Sequence, residues 1–139
     1  MGTRADFYTG KGKRMEWLGS VAWDAYPSGI PKELRTSKSL AEYKEAVGHF
    51  LANREDATLP KMGWPWPWDS SHTTDYAYTF SAGQVWASAY GAPWFLATDE
   101  SDRPDDEDET RKVWFPNMKG HKRVTLGPRS GLMVITERR

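Results

Sequence analysis

The sequence predicts an α+β domain, a twisted antiparallel β-sheet of about six strands with one amphipathic helix packed on it. Three observations carry that expectation. Short alternating apolar runs cluster before and after a single helical stretch and do not alternate with helices, which argues for antiparallel pairing. Helical periodicity is clear only from Ser39 to Asn53. The run TDYAYTFSAGQVWASAYGAPWF, Thr74 to Phe95, reads as a β-hairpin turning at Ala82-Gly83. At 139 residues the chain has the length of a single domain, residues 1–139, able to bury a core without staples.

Taken in order, Arg4 to Thr9 is the first strand candidate and Gly10-Lys11-Gly12-Lys13 the turn after it. A phosphate-binding reading of that Gly-Lys cluster fails, because GxxxxGK[ST] is absent and the context is strand, turn, strand. In the next strand Met15, Trp17, Val21 and Trp23 alternate with Glu16, Leu18, Ser20 and Asp24, and Gly19 in the middle suggests a bulge. Tyr26-Pro27-Ser28-Gly29 ends it.

In the helix, Ser39 and Glu42 form an S-x-x-E capping box. Leu40, Tyr43, Val47, Phe50 and Leu51 make one apolar stripe with Ala46 at its edge. Gly48 suggests close contact with the sheet, and His49 reads as a surface residue.

The hairpin register pairs Phe80 with Val85, Tyr78 with Ala87 and Tyr76 with Ala89, each ring facing a small residue. The opposite face pairs Thr79 with Trp86, Ala77 with Ser88 and Asp75 with Tyr90. Beyond it, Val113-Trp114-Phe115 resumes a strand up to Pro116. His121 to Leu126 and Leu132 to Thr136 read as two more strands.

Composition narrows the function classes. Nineteen basic and nineteen acidic residues leave no net field to attract nucleic acid or an anionic membrane. No apolar run approaches the roughly 20 residues that span a bilayer, and no signal-peptide core is present. The absence of cysteine removes disulfide and thiolate chemistry and suits a cytoplasmic location. Three histidines without metal-ligand spacing predict no metal and no cofactor. Asp69-Ser70-Ser71-His72 holds the residue types of a hydrolase triad but lacks a GxSxG elbow, and reads first as turns before the hairpin. No catalytic residue is assigned.

Eight Trp, six Tyr and five Phe exceed what a small core absorbs, so some belong to a working surface. Gly63-Trp64-Pro65-Trp66-Pro67-Trp68 is the unusual segment. Each Trp before Pro is pushed to extended geometry. It reads either as a clamp on one end of the core or as an aromatic platform for a partner, with Trp64, Trp66 and Trp68 as anchors.

An acidic loop over about 98–110, expected to be mobile, is the second candidate. Eight carboxylates fall between Asp99 and Glu109. Extended, they present one charge per roughly 4–5 Å, near the one phosphate per roughly 3.4 Å of a nucleic-acid strand. Asp102, Asp105, Asp106, Glu107, Asp108 and Glu109 are thereby candidates to engage a basic nucleic-acid-binding groove by mimicry. The competing readings are an ordinary solvated loop or pairing with the basic C-terminal third, Lys119, His121, Lys122, Arg123, Arg129, Arg138 and Arg139.

The opening MGTRADFYTGKGKRMEWLGSVAWDAYP resembles that of small uncharacterised proteins of bacterial, phage and prophage genomes. The likeness covers about the first 27 residues and implies a setting, not an activity. Small accessory proteins of mobile elements are often cytoplasmic, non-enzymatic binders of host defence complexes, anti-CRISPR proteins among them.

The functional expectation is therefore a non-enzymatic binding protein acting in the host cytoplasm. It docks on a host protein or nucleoprotein complex as an inhibitor, without direct nucleic-acid or membrane contact. The alternative is a small-ligand or carbohydrate binder that stacks on Trp and Tyr, with Asp75 and Asn117 as polar contacts. A small hydrolase comes third and requires Asp69, His72, Asp75 or Tyr76 to converge.

Overall fold

In a computed structural model describing residues 3–98 and 113–118, the hairpin forms in the register read from sequence. Strands β3 (Tyr76–Ser81) and β4 (Gln84–Ala89) pair Phe80 with Val85, Tyr78 with Ala87 and Tyr76 with Ala89. The turn places Ala82 at φ 55° and Gly83 at φ 77°. Positive φ at both central residues matches the natural twist of a hairpin.

Three further strands complete a five-stranded sheet among the described residues. They are β1 (Ala5–Thr9), β2 (Glu16–Val21) and β5 (Phe95–Leu96), in the order β2-β1-β3-β4-β5. The chain is α+β, with three antiparallel pairings. The expected all-antiparallel sheet of about six strands needs correction in two respects. β1 pairs with β3 in parallel, Ala5 beside Tyr76 and Thr9 beside Phe80. Residues 113–118 join no strand, and Val113 contributes one backbone bond, to Gly91. The other two expected strands lie outside the described residues. The parallel pair arises because β2 ends beside the start of β1, Val21 against Ala5, and the helices and the Trp-Pro segment carry the chain past β1 to begin β3 at that same end, Tyr76 against Ala5.

The Gly10–Lys13 turn joins β1 to β2 as a hairpin tip. Its backbone is tied to β3, with Gly10 N–H donating to Phe80 O and Thr79 Oγ1 donating to Gly10 O. Between Phe7 and Tyr8 the β1–β2 register shifts, since Phe7 pairs with Gly19 and Tyr8 with Trp17. This bulge splits the single alternation expected for β2. Trp17 and Ser20 turn to one face and Val21 to the other.

Helix α1 (Lys32–Arg35) has no counterpart in the sequence reading. It carries Leu34 into the core and the buried Arg35, which donates to the carbonyls of Ile30, Ala97 and Thr98. Helix α2 (Leu40–Ala52) starts at Ser39, whose hydroxyl accepts from Glu42 N–H, while Glu42 Oε1 accepts from Lys38 N–H. Tyr43, Val47 and Leu51 are buried, but Leu40 is 45% exposed. Gly48 is exposed, and a Cβ there would meet nothing within 4 Å. The expected sheet contact at Gly48 does not exist, because Gly48 lies about 100° round the helix from Val47 and outside the buried stripe of Tyr43, Val47 and Leu51.

Two apolar clusters lie on the two faces of the sheet. The first joins Phe7, Val21, Tyr78, Phe80 and Val85 to α1 and α2. The second gathers Tyr8, Trp17, Trp64, Ala77, Phe115 and Met118, with Trp66, Trp68 and Trp94 packed against it. The molecule is thus layered as helices, sheet, and a non-helical aromatic layer.

Candidate functional site

The strand register lines up residues on the second face. One position before the ladder of Ala5, Tyr76 and Ala89 stand Arg4, Asp75 and Tyr90. Arg4 donates to Asp75 Oδ2 from its backbone N–H at 2.9 Å and from Nη1 at 3.4 Å. Tyr90 hydrogen-bonds to the Asp75 carboxylate, and that bond, with the negative charge, pushes the Tyr90 hydroxyl above its ordinary range. The Arg4 guanidinium lies over the rings of Trp68, 5.4 Å from the centroid, and Trp66, 5.8 Å. Guanidinium over indole is an attractive arrangement at that range.

Two residues further into the sheet, on the same face, the row becomes buried. Asp6 Oδ1 accepts from Ser20 Oγ at 2.5 Å and Trp66 Nε1 at 2.7 Å, and Oδ2 accepts from Ser71 Oγ at 2.6 Å. Tyr8 donates in turn to Ser71, and Trp17 Nε1 to Ser20. Every donor therefore points towards Asp6, the pattern of a carboxylate. Burial pushes its carboxyl above the ordinary range, and the hydrogen bonds from Ser20, Ser71, Trp66 and Thr74 pull it back. The network fastens the Trp-Pro segment to the sheet.

The three indoles are held from within. Trp64 is buried edge-on against Trp17 and donates to Trp68 O. Trp66 and Trp68 are half-buried and stacked, with centroids 5.5 Å apart and planes 16° apart, and Trp68 Nε1 donates to Thr74 Oγ1. The segment closes over the second face as a clamp, and only ring surfaces of Trp66 and Trp68 remain on the outside.

Residues 113–118 form the rest of the surface. His72 Nε2 meets Val113 O at 2.7 Å, and Nδ1 meets Ser70 Oγ at 2.9 Å. A carbonyl only accepts, so Nε2 carries the proton and Nδ1 takes the Ser70 hydroxyl. The ring also packs edge-on against Phe115. Gly91 lies against it so closely that a Cβ there would come 2.9 Å from His72 Cδ2. Through Val113 and Gly91 the exposed Trp114 (48%) is brought next to the Tyr90 turn, where Tyr90 is 52% exposed.

Asp75 and Tyr76, two of the groups a hydrolase reading needs, lie on opposite faces of the sheet. Asp75 projects to the second face and pairs with Arg4, whereas Tyr76 joins the first-face cluster and stacks on Tyr78. Ser70 caps the short 3-10 turn Ser71–Thr73. Among the described residues no cluster of three His, Cys, Asp or Glu is placed to hold a metal ion. Nor is any helix of the described residues long and apolar enough to cross a membrane.

The expected anchors Trp66 and Trp68 contribute to this surface and Trp64 does not. Asp102, Asp105, Asp106, Glu107, Asp108 and Glu109 lie outside the described residues, as does the basic run from Lys119 to Arg139. Arg4, Tyr90 and Trp114 were missed as site residues, although the Asp75–Tyr90 pairing was already implied by the hairpin register. Comparison with family models, with curated proteins and with solved structures gave no match.

Proposed function

We propose that this chain is a non-enzymatic binding protein that docks on a partner protein through the sheet-end surface formed by Arg4, Tyr90, Trp114 and the Trp66–Trp68 pair. The observation that carries this reading is the stacked, hydrogen-bonded Trp66–Trp68 pair against an arginine held by Asp75, with the exposed Tyr90 bonded to the same carboxylate. Trp, Tyr and Arg are the residues enriched at interface hot spots, and side chains already fixed lose little entropy on binding. His72, Asp75 and Tyr76 are each engaged structurally, and the exposed Asp69 accepts from Met118 N–H through its backbone carbonyl, which gives a hydrolase reading little support. A carbohydrate site is less well served, because Asp75 is committed to Arg4 and Tyr90, and the indole N–H groups of Trp66 and Trp68 point inward.

The partner class we infer is a nucleic-acid-processing protein of a host cell, blocked as an anti-CRISPR protein blocks its target. The acidic run from Asp102 to Glu109 supplies the charge for its basic groove, and the opening residues supply the phage-like setting. The test is affinity capture from host lysate followed by titration of the purified partner. Wild type, Tyr90→Ala/Trp114→Ala and a variant with the acids of 102–109 changed to Asn or Gln are compared. Loss of one partner with both variants supports the reading. Undiminished affinity with the fold intact overturns it.

A further inference from the structure

On the opposite side of the molecule, we infer that the groove between α1 and α2 is a binding site for a short, extended basic peptide with an apolar anchor residue. This second site is independent of the sheet-end surface. The groove has a volume of about 740 Å³, within the roughly 300–1,000 Å³ typical of ligand clefts. Its floor is apolar, formed by the partly exposed Ala46 and Phe50 of α2 over the buried Leu34 of α1.

The rim carries the charge. Glu33, Glu42 and Glu45 line the groove against one ammonium, Lys38. The α2 contribution, Glu42, Glu45, Ala46, His49 and Phe50, follows helical spacing along one stripe. Eight helical steps from Glu42 to Phe50 at about 1.5 Å each make that stripe about 12 Å long, the length of about four extended residues. An extended chain with cationic side chains towards the glutamates and one apolar side chain on Phe50 therefore matches the groove in length, polarity and sign of charge. The negative rim and apolar floor together argue against an acidic or purely polar ligand.

The test uses two pentapeptide probes, Lys-Leu-Lys-Leu-Lys and Glu-Leu-Glu-Leu-Glu, titrated into the full chain and followed by backbone amide shifts. The expected result is saturable binding of the basic peptide, with the largest shifts at Glu45, Ala46 and His49, at least about tenfold tighter than the acidic one and weakened by added salt. Glu33→Gln/Glu45→Gln, two exposed positions whose change leaves the Glu42 cap intact, is expected to weaken it by about fivefold or more, with an unchanged circular dichroism spectrum. Tyr90→Ala/Trp114→Ala is expected to leave it unchanged. Equal binding of both peptides, no saturable binding, shifts confined to the sheet end, or full affinity in the double glutamine variant would each overturn the inference.

Discussion

Trp66 donates its indole N–H to Asp6 across 2.7 Å, joining residues sixty positions apart. The bond explains two features at once. A carboxylate in the middle of an apolar strand has its donors, and a Trp-Pro run with no regular hydrogen bonding of its own is fixed to the sheet.

Breaking this relationship has a defined cost. Trp66→Phe keeps an aromatic ring, though a smaller one, and removes the donor, and is expected to destabilise by at least about 1.5–3 kcal/mol, the range for a hydrogen bond to a charged group. Asp6→Ala strands the donors of Ser20, Ser71 and Trp66 and is expected to cost about 3 kcal/mol or more. Urea unfolding of both single variants and the double variant measures the coupling. Strict additivity would mean that the two groups do not interact.

Asp6 and Asp56 give stability opposite pH dependences. Asp56 accepts from Arg54 Nε and Nη2 and from the N–H groups of Ala22 and Trp23. Burial raises its carboxyl, but these bonds and the Arg54 charge outweigh burial and leave it below the ordinary range. Its contribution is present above the unfolded value of about 3.9 and is lost as pH falls through the folded one. The Asp6 carboxyl is raised, so the native state holds that proton more tightly. Its contribution is greatest below about 3.9 and declines as pH rises through the folded value. Unfolding midpoints measured from about pH 2 to 7 are expected to fall less steeply on the acid side in Asp56→Asn. Asp6→Asn is expected to lose the opposing slope, whatever its absolute stability.

Two glycines are expected to respond with opposite signs. Gly19 has φ 146°, and a Cβ would lie 2.6 Å from Leu51 Cδ1 and 2.9 Å from the Thr58 carbonyl. Gly19→Ala is expected to cost about 2–3 kcal/mol through strain and overpacking at the bulge. Gly48→Ala places a methyl in open space on a helix and is expected to stabilise by about 1 kcal/mol. Thermal melts of the two variants check both signs.

For the sheet-end surface, Trp114→Ala is expected to weaken partner binding by about 2 kcal/mol, roughly thirtyfold, without lowering the melting temperature. The side chain is half exposed, so its loss leaves little cavity. Isothermal titration of the captured partner measures it.

Much of the fold was legible because it is local. The hairpin register followed from period-two alternation and the Ala82-Gly83 turn, and the start of α2 from a hydroxyl and a carboxylate three residues apart. The bulge was legible at Gly19, but not its consequence. A one-residue slip exchanges faces, and so Trp17 and Ser20 joined Asp6 while Val21 entered the opposite core. Gly48 was misread because helical spacing alone does not say which side of α2 meets the sheet at that position.

The sequence by itself determined where the chain bends, where it becomes helical and which hairpin residues share a face, because backbone sterics and capping act over a few residues. Only the tertiary structure decided that β1 and β3 run parallel, that Trp64 is buried while Tyr90 and Trp114 face outward, and that Asp6 is met by Ser20, Trp66 and Ser71. Those outcomes depend on satisfying buried polar groups and covering apolar faces with segments up to some seventy positions away. No local pattern encodes such partners.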